Sequence, residues 1–426
     1  MKKSIYNNII VNKDNKYLYY NSASGAIVWI DDYIHKAINN DIIAIKDKNI
    51  LLELKKNGFI VPDAINEFGR HMNKSKQFKA DMFSDVASFV IAPTMACNLR
   101  CIYCFEAGRY CNEIMSEETQ NSVYKFITNS VLTKNKKRLH VSWFGGEPML
   151  AYSVIKNLST RLINFCFEHN IEYVAAMTTN GTLLDEDSIA KLYKEYKIQN
   201  MQITIDGDKF WYKKLKNGTD ENYDDVLKNI LLIGKSPITL SLRLNVCNEN
   251  VKAFENIINY LISNNKFHAY IYPGKLLKYS KTDNFTEIED EKFKEFKDFI
   301  RKSTEHFPEY KKMYSKKLEP KGAGCGYMVD GRGLIDYKGF IYRCEHQIND
   351  ARFAIGDVNN GFYYNDIDKT FMEYKLPKKC EICSVLPVCM GGCASDVVID
   401  EKTTNCESFV EDISHMVKTI AGINNE

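Results

Sequence analysis

The sequence has no apolar run near the ~20 residues that a helix needs to cross a bilayer, so no membrane partner is expected. It lacks a dominant charge. Its 57 Lys and Arg face 55 Asp and Glu, a formal +2, which removes the bulk electrostatic argument for a nucleic-acid partner. The opening stretch to Lys13 has two early lysines but no sustained apolar segment. No signal peptide is read there, and a cytoplasmic location is expected. Short-period repeats and low-complexity tracts are missing, and the eight histidines form no spaced ligand pair.

What is present is an ordinary globular mixture, 45% apolar and 26% charged, over 426 residues. At roughly 100–200 residues per domain this suggests two to four domains. Against that background the 13 cysteines stand out. A cytosolic chain of this length has no need of a disulfide scaffold, so clustered cysteines point to metal ligands or catalytic groups. Ten of them fall into two groups: Cys97, Cys101 and Cys104, then Cys325 through Cys406.

Three regions differ in pattern. Residues 1–80 read as a small α+β, winged-helix-like module with 13 Lys and Arg against 8 Asp and Glu. Strands are expected at 8–11, 17–21 and 25–30, helices at 31–39 and 49–57, a last strand at 59–61, and a linker helix over 66–86. Residues 81–309 alternate strand and helix six times, with strands at 87–92, 138–144, 173–177, 201–205, 238–246 and 268–272. Such alternation argues for parallel strands with outer helices and right-handed crossovers. A closed eight-unit barrel takes ~250 residues, and about 220 are available, so an open (β/α)6 TIM-like barrel is expected. Its chemistry belongs at the C-terminal ends of the strands. Residues 310–426 lose helical periodicity and concentrate glycine and cysteine, with helical candidates only at 372–379 and 408–421.

Cys97, Cys101 and Cys104 follow the first barrel strand as C-x3-C-x2-C. Soft thiolates select iron–sulfur clusters or zinc, and a structural zinc wants a fourth ligand that this loop lacks. Three thiolates on a four-iron cluster leave one iron open. Other strand ends carry candidate groups. Gly145, Gly146, Glu147 and Pro148 follow strand two, Thr179 and Asn180 close strand three, Asp206 closes strand four, and Arg243 and Asn245 close strand five. Asp206 is a candidate general base, Arg243 a candidate bidentate partner for a carboxylate, and Tyr103 a candidate packing surface. Taken singly, these motifs equally describe turns, a surface ion pair and core packing.

The C-x3-C-x-Tyr-C loop in this setting resembles the radical S-adenosylmethionine (SAM) superfamily. The resemblance implies that the open iron binds SAM and that reductive cleavage yields a 5′-deoxyadenosyl radical, which abstracts hydrogen. It further implies SAM contacts from the Gly-Gly-Glu-Pro segment, the Thr-Asn segment, Arg243 and Asn245. Related sequences carry a proline after the strand-four Asp-Gly and an arginine further on. This chain has Asp208 and then Lys213, Lys214 and Lys216, which leaves the basic contact from that loop open.

The second group, Cys325, Cys344, Cys380, Cys383, Cys389, Cys393 and Cys406, resembles the seven-cysteine pattern of the SPASM domain. That likeness implies two auxiliary [4Fe–4S] clusters, three in all. Cluster I would use Cys325, Cys344 and Cys393, and cluster II Cys380, Cys383, Cys389 and Cys406. No cysteine lies just upstream of Cys325, so cluster I is expected to keep an iron for a substrate thiolate. Cys111, Cys166 and Cys247 are read as core residues. His346 is placed to tune a cluster or to sit at the surface.

Proteins of this kind modify peptides. The leading module suggests a ribosomal-peptide maturase that binds its precursor through the leader and forms a Cys thioether, with an electron donor such as flavodoxin or ferredoxin. The alternative is an anaerobic sulfatase-maturing enzyme that makes formylglycine. A more remote one is a non-enzymatic iron–sulfur protein whose leading module binds DNA.

Overall fold

The computed structural model describes residues 1–81, 84–106, 108–264, 266–278, 285–395 and 406–423. The chain forms two compact units. One comprises Met1–Phe83, Lys311–Asp330 and Lys369–Glu426; the other comprises Ser84–Tyr310 and Gly331–Asp368.

In the first unit, β1 (Lys2–Lys3) precedes a three-stranded antiparallel sheet of β2 (Asn7–Lys13), β3 (Lys16–Asn21) and β4 (Ile27–Asp31), in that spatial order. Asp14 and Asn15 both take positive φ, 52° and 56°, as a two-residue hairpin turn demands. Helices follow at Asp32–Asn40 and Lys48–Lys56, each begun by an aspartate whose side chain accepts from the first-turn amides. Tyr19, Ile34, Ile38, Leu54 and Phe59 form the core between sheet and helices. The expected last strand is β5 (Ile60–Val61), which pairs with β1 rather than with the larger sheet. The linker helix runs Glu67–Lys79 and is shorter than expected; positions 82 and 83 of that expectation lie outside the described residues. Near the C-terminus, the helix expected at 372–379 is not formed. A helix ends at Met372, and Pro377 starts a separate 3-10 turn, Lys378–Ile382, because proline bars the preceding residue from helical geometry. The last helix is Cys406–Ile420.

The second unit holds six parallel strands in sequence order: β6 (Val86–Ile91), β7 (Arg138–Trp143), β8 (Glu172–Thr179), β9 (Ile198–Ile205), β10 (Thr239–Val246) and β11 (Tyr270–Lys275). Helices separate them at Glu117–Thr133, Tyr152–Glu168, Glu186–Lys194, Asp220–Gly234 and Ala253–Ser263, with Asp290–Thr304 after β11. This is the α/β, TIM-like partial barrel that the alternation implied. Leu139, Val141 and Trp143 of β7, and Leu240, Leu242 and Leu244 of β10, are buried at every second position. The intervening residues therefore share the opposite face. Beyond β6 the sheet continues through β12 (Gly333–Ile335), parallel to β6, and then antiparallel β13 (Phe340–Tyr342), β14 (Gly356–Asp357) and β15 (Gly361–Phe362). The sequence pattern had not suggested this extension.

Among the described residues no helix is long and apolar enough to cross a membrane.

Candidate active site

The C-terminal ends of β6 to β11 surround a cavity of about 310 Å3. Cys97, Cys101 and Cys104 line it, with Tyr103, Gly145, Gly146, Thr179, Asn180, Arg243 and Asn245. Residues from four separate strand ends thus meet at one place.

The cysteine loop is held on two sides. On one side the amides of Gly146 and Glu147 donate to the carbonyls of Thr94 (3.2 Å) and Ala96 (2.8 Å). The two glycines make this approach possible. A Cβ on Gly146 would sit 2.3 Å from Ala96 O, and one on Gly145 would sit 2.4 Å from Thr94 O. On the other side the loop meets a helix, Lys209–Lys216, that the sequence reading did not include. Arg100 and Ile102 amides donate to the carbonyls of Lys216 and Leu215, at 3.2 and 2.9 Å. Asp208 caps this helix by accepting from Trp211 N, and Asn217 ends it at φ 51° while its Nδ2 donates to Arg100 O. Asp208, standing where relatives have proline, is thus a helix cap.

The three thiols lie within one another's electrostatic reach. Burial pushes the Cys97 thiol up to about 11 and the Cys101 thiol up to about 12, and each is raised further by its neighbours. A metal group must displace those protons to bind. Among the described residues no three His, Cys, Asp or Glu are drawn together closely enough for a single metal ion. Thiolates at the corners of a four-iron cube stand farther apart than that. Asn180 Nδ2 lies 3.9 Å from Cys97 Sγ and donates to Asn98 Oδ1 at 2.8 Å, which ties the end of β8 to the loop.

Glu147 and Asp206 are placed differently from what their motifs suggested. The Glu147 side chain is fully buried and does not line the cavity. Its carboxylate accepts from Met149 N (3.0 Å), Thr179 Oγ1 (2.7 Å) and Asn180 N (2.8 Å). Burial raises its pKa, and these donors oppose the rise. Pro148 is buried in the 3-10 turn that Glu147 caps. Asp206 is also fully buried and accepts from the Tyr103 hydroxyl; burial raises its pKa too. Asn245 Nδ2 donates to that same hydroxyl at 3.0 Å, and Arg243 Nε donates to Asn245 Oδ1 at 3.0 Å. The four side chains form one chain of hydrogen bonds that anchors the cysteine loop to β9 and β10.

Several cavity residues were not singled out from sequence. Of the three lysines, Lys213 pairs with Asp220 at the surface and Lys214 lies over Trp211. Lys216 is 2% exposed, lines the cavity and donates to Thr204 O at 2.8 Å. Its charge bears on both Cys101 and Asp206. Gln202, Thr204 and Lys275 also line the cavity, from the strand face opposite the helix-packed core. Glu106, two residues past the last cysteine of the motif, lines it as well, and burial raises its carboxyl to about 7. His346 stacks on Phe105 at 4.6 Å and reaches the cavity wall. Nothing but tertiary proximity marks Gln202, Thr204, Lys275 and Glu106.

Of the remaining cysteines, Cys166 and Cys247 are buried as expected. Cys111 is only partly buried and bonds to Tyr337. Cys380, Cys383, Cys389 and Cys406 belong to the first unit and lie within one another's electrostatic reach. Cys325 and Cys393 belong to that unit too, and Cys344 to the second.

Residues 91–261 match the Radical SAM superfamily. The cysteine-type anaerobic sulfatase-maturating enzyme of Clostridium novyi is 24% identical over 375 residues, 78% of this chain and 98% of its own length. The radical SAM cyclopropyl synthase TigE of Paramaledivibacter caminithermalis is 22% identical over 285 residues; the match spans 60% of this chain and 57% of that protein. In fold, the chain resembles anSMEcpe with bound AdoMet and Cp18Cys peptide, with a TM-score of 0.61 and 18% identity over 80% of this chain and 100% of that one. It also resembles Streptococcus suis SuiB bound to precursor peptide SuiA, with a TM-score of 0.52 and 16% identity over 94% of this chain and 97% of that one. The chain carries a radical SAM domain and is a radical SAM enzyme. The domain implies a [4Fe–4S] cluster and SAM. An enzymatic role sets aside the non-enzymatic DNA-binding reading.

Proposed function

We propose that the chain is a peptide maturase that binds a ribosomally made precursor through its leader and oxidises or crosslinks it, forming a Cys thioether. The observation that carries this reading is the extent of the fold match. The SuiB likeness spans 94% of the chain, whereas the anSMEcpe likeness spans 80%. The first unit supports a docking role. β2 and β4 are sheet edges to which an extended peptide can add, and Trp29 on β4 is 46% exposed. The same unit holds a cavity of about 460 Å3 whose walls include Lys55, Lys56, Arg70 and Lys74. Its one acidic group, Glu67, is occupied by Ser4 Oγ (2.6 Å) and Ile5 N (3.0 Å). That balance favours an acidic leader segment.

In this reading Cys97, Cys101 and Cys104 hold the SAM-binding cluster. Bound cluster and SAM together supply a 5′-deoxyadenosyl radical for hydrogen abstraction. Gly145 and Gly146 bring backbone to the cavity wall, and Asn180 and Asn245 offer polar contacts. Arg243 and Lys216 supply the positive charge for the SAM carboxylate. Glu147 braces the end of β8, and Asp206 holds the cysteine loop through Tyr103. Cys380, Cys383, Cys389 and Cys406 hold one auxiliary cluster; Cys325, Cys344 and Cys393 hold the other, leaving an iron for a substrate thiolate. A flavodoxin or ferredoxin supplies electrons.

A second reading, formylglycine formation, is supported by the Clostridium novyi enzyme, whose length is matched almost completely. Anaerobic co-expression with a candidate precursor peptide, followed by mass spectrometry, separates the two. Loss of two hydrogens with thiols that no longer alkylate supports the thioether. The same loss with free thiols means a carbon–carbon bond or another oxidation. An unmodified precursor alongside an aldehyde formed on a sulfatase peptide overturns the first reading in favour of the second.

A further inference from the structure

Two tyrosines stand beside Cys380, Cys383 and Cys389 in the first unit. Tyr6 is 1% exposed and packs in one apolar cluster with Cys380 and Leu386, against which Cys383 also rests. Tyr374 lies close enough to Cys380 and Cys389 for their charges to act on it. Both hydroxyl oxygens are buried, and neither has a hydrogen-bond partner among the described residues. Buried polar atoms nearly always have a partner, and a tyrosine hydroxyl is a ready donor. The charges that bear on Tyr6 are those of Glu67 and then Cys383, and both Glu67 oxygens already accept from Ser4 Oγ and Ile5 N; those that bear on Tyr374 are the thiols of Cys380, Cys389 and Cys393.

The cysteine-bearing loop is also fixed in place. Ser22 Oγ and Asn8 Nδ2 both donate to Ser384 O, at 2.5 and 3.2 Å, one residue past Cys383. His71 Nε2 lies 3.0 Å from the sulfur of Met390, one residue past Cys389. Tyr6 lies two residues before Asn8, in the turn that leads into β2, so the segment that anchors the loop also packs the Tyr6 ring beside Cys380 and Cys383.

We infer that the hydroxyls of Tyr6 and Tyr374 donate hydrogen bonds to the sulfurs of the iron–sulfur cluster held by Cys380, Cys383, Cys389 and Cys406, and thereby raise its reduction potential. This rests on the four-cysteine assignment proposed above. A donor aimed at a cluster sulfur stabilises the added negative charge of the reduced state, so removing it shifts the potential negative. Phenylalanine keeps the ring and deletes only the donor.

The test uses the full chain carrying Cys97→Ala, Cys101→Ala and Cys104→Ala, reconstituted anaerobically so that only auxiliary clusters remain. Electron paramagnetic resonance signals are followed against potential, and an added Cys389→Ala identifies the signal of this cluster. Tyr6→Phe and Tyr374→Phe are each expected to keep the parent iron content and to shift the midpoint of that signal negative, leaving any other signal unmoved. An unmoved midpoint with iron intact overturns the role of that tyrosine and leaves its hydroxyl to ordered water. Loss of iron in a Phe variant also overturns it, because the hydroxyl would then be needed for the cluster to be held at all and not to set its potential. A parent protein with no signal that depends on Cys389 would sink the four-cysteine assignment itself, which is a different result.

Discussion

Gly146→Ala tests the link between backbone geometry and chemistry most directly. The new methyl would lie 2.3 Å from Ala96 O and 2.6 Å from Met95 O, both backbone atoms just before Cys97. Neither can swing away as a side-chain tip would, so the loop must move. Overpacking of this kind costs about 1–3 kcal/mol. The Glu147 N to Ala96 O bond of 2.8 Å stretches with it, for about a further 1 kcal/mol. The expected loss is therefore about 2–4 kcal/mol, read as a lower guanidinium midpoint. Displacement of the three cysteines should cost more in chemistry than in stability, about a hundredfold in 5′-deoxyadenosine formation. Iron content checks whether the cluster still assembles. A variant with the wild-type midpoint and undiminished SAM cleavage would refute the claim that these glycines exist to let the two loops touch.

Glu147→Gln turns an amide NH2 toward Asn180 N or Thr179 Oγ1 and loses a charge-assisted bond; about 1.5–3 kcal/mol of stability should go, measured by chemical denaturation. Asp368→Ala strips the partner from Arg343, a pair 2.7 Å apart whose side chains are 0% and 4% exposed. A buried guanidinium that has lost its carboxylate and keeps the Arg332 carbonyl should cost about 3–5 kcal/mol, and Cys344 lies next in sequence, so iron content should fall as well. His71 has its pKa lowered from 6.5, first by burial and then by Lys74. The unfolded chain therefore takes up a proton before the folded one does. Stability from His71 is complete above pH 6.5 and is lost as pH falls through the lower folded value. Denaturation midpoints between pH 5 and 8 should show that limb, and His71→Phe should flatten it.

The parallel core was legible because its signals are local and repeated. Apolar residues at every second position marked β7 and β10, and the regular separation of the apolar segments by helices announced the crossovers. The cysteine spacings were legible for the same reason, since a loop can present three thiolates only if they are close in sequence. The extension through β12 to β15 was not legible: strands of two or three residues carry no period. The helix at Lys209–Lys216 was hidden among charged residues, and its Asp208 cap read as a departure from pattern.

Side-chain direction escaped the sequence altogether. Glu147 and Asp206 sat in recognisable motifs, yet neither carboxylate lines the cavity: Glu147 holds the end of β8, and Asp206 holds the cysteine loop through Tyr103. Three lysines were equivalent on paper until packing buried only Lys216. Tyr6 stood nearly four hundred positions from the cysteines it packs against. The sequence by itself determined which cysteines stand close enough along the chain to share a loop and where the six long strands of the parallel core fall, because those properties depend on neighbours along the chain. Only the tertiary structure decided which donors and acceptors face one another, because a hydrogen bond depends on distance in space and not on position in the chain.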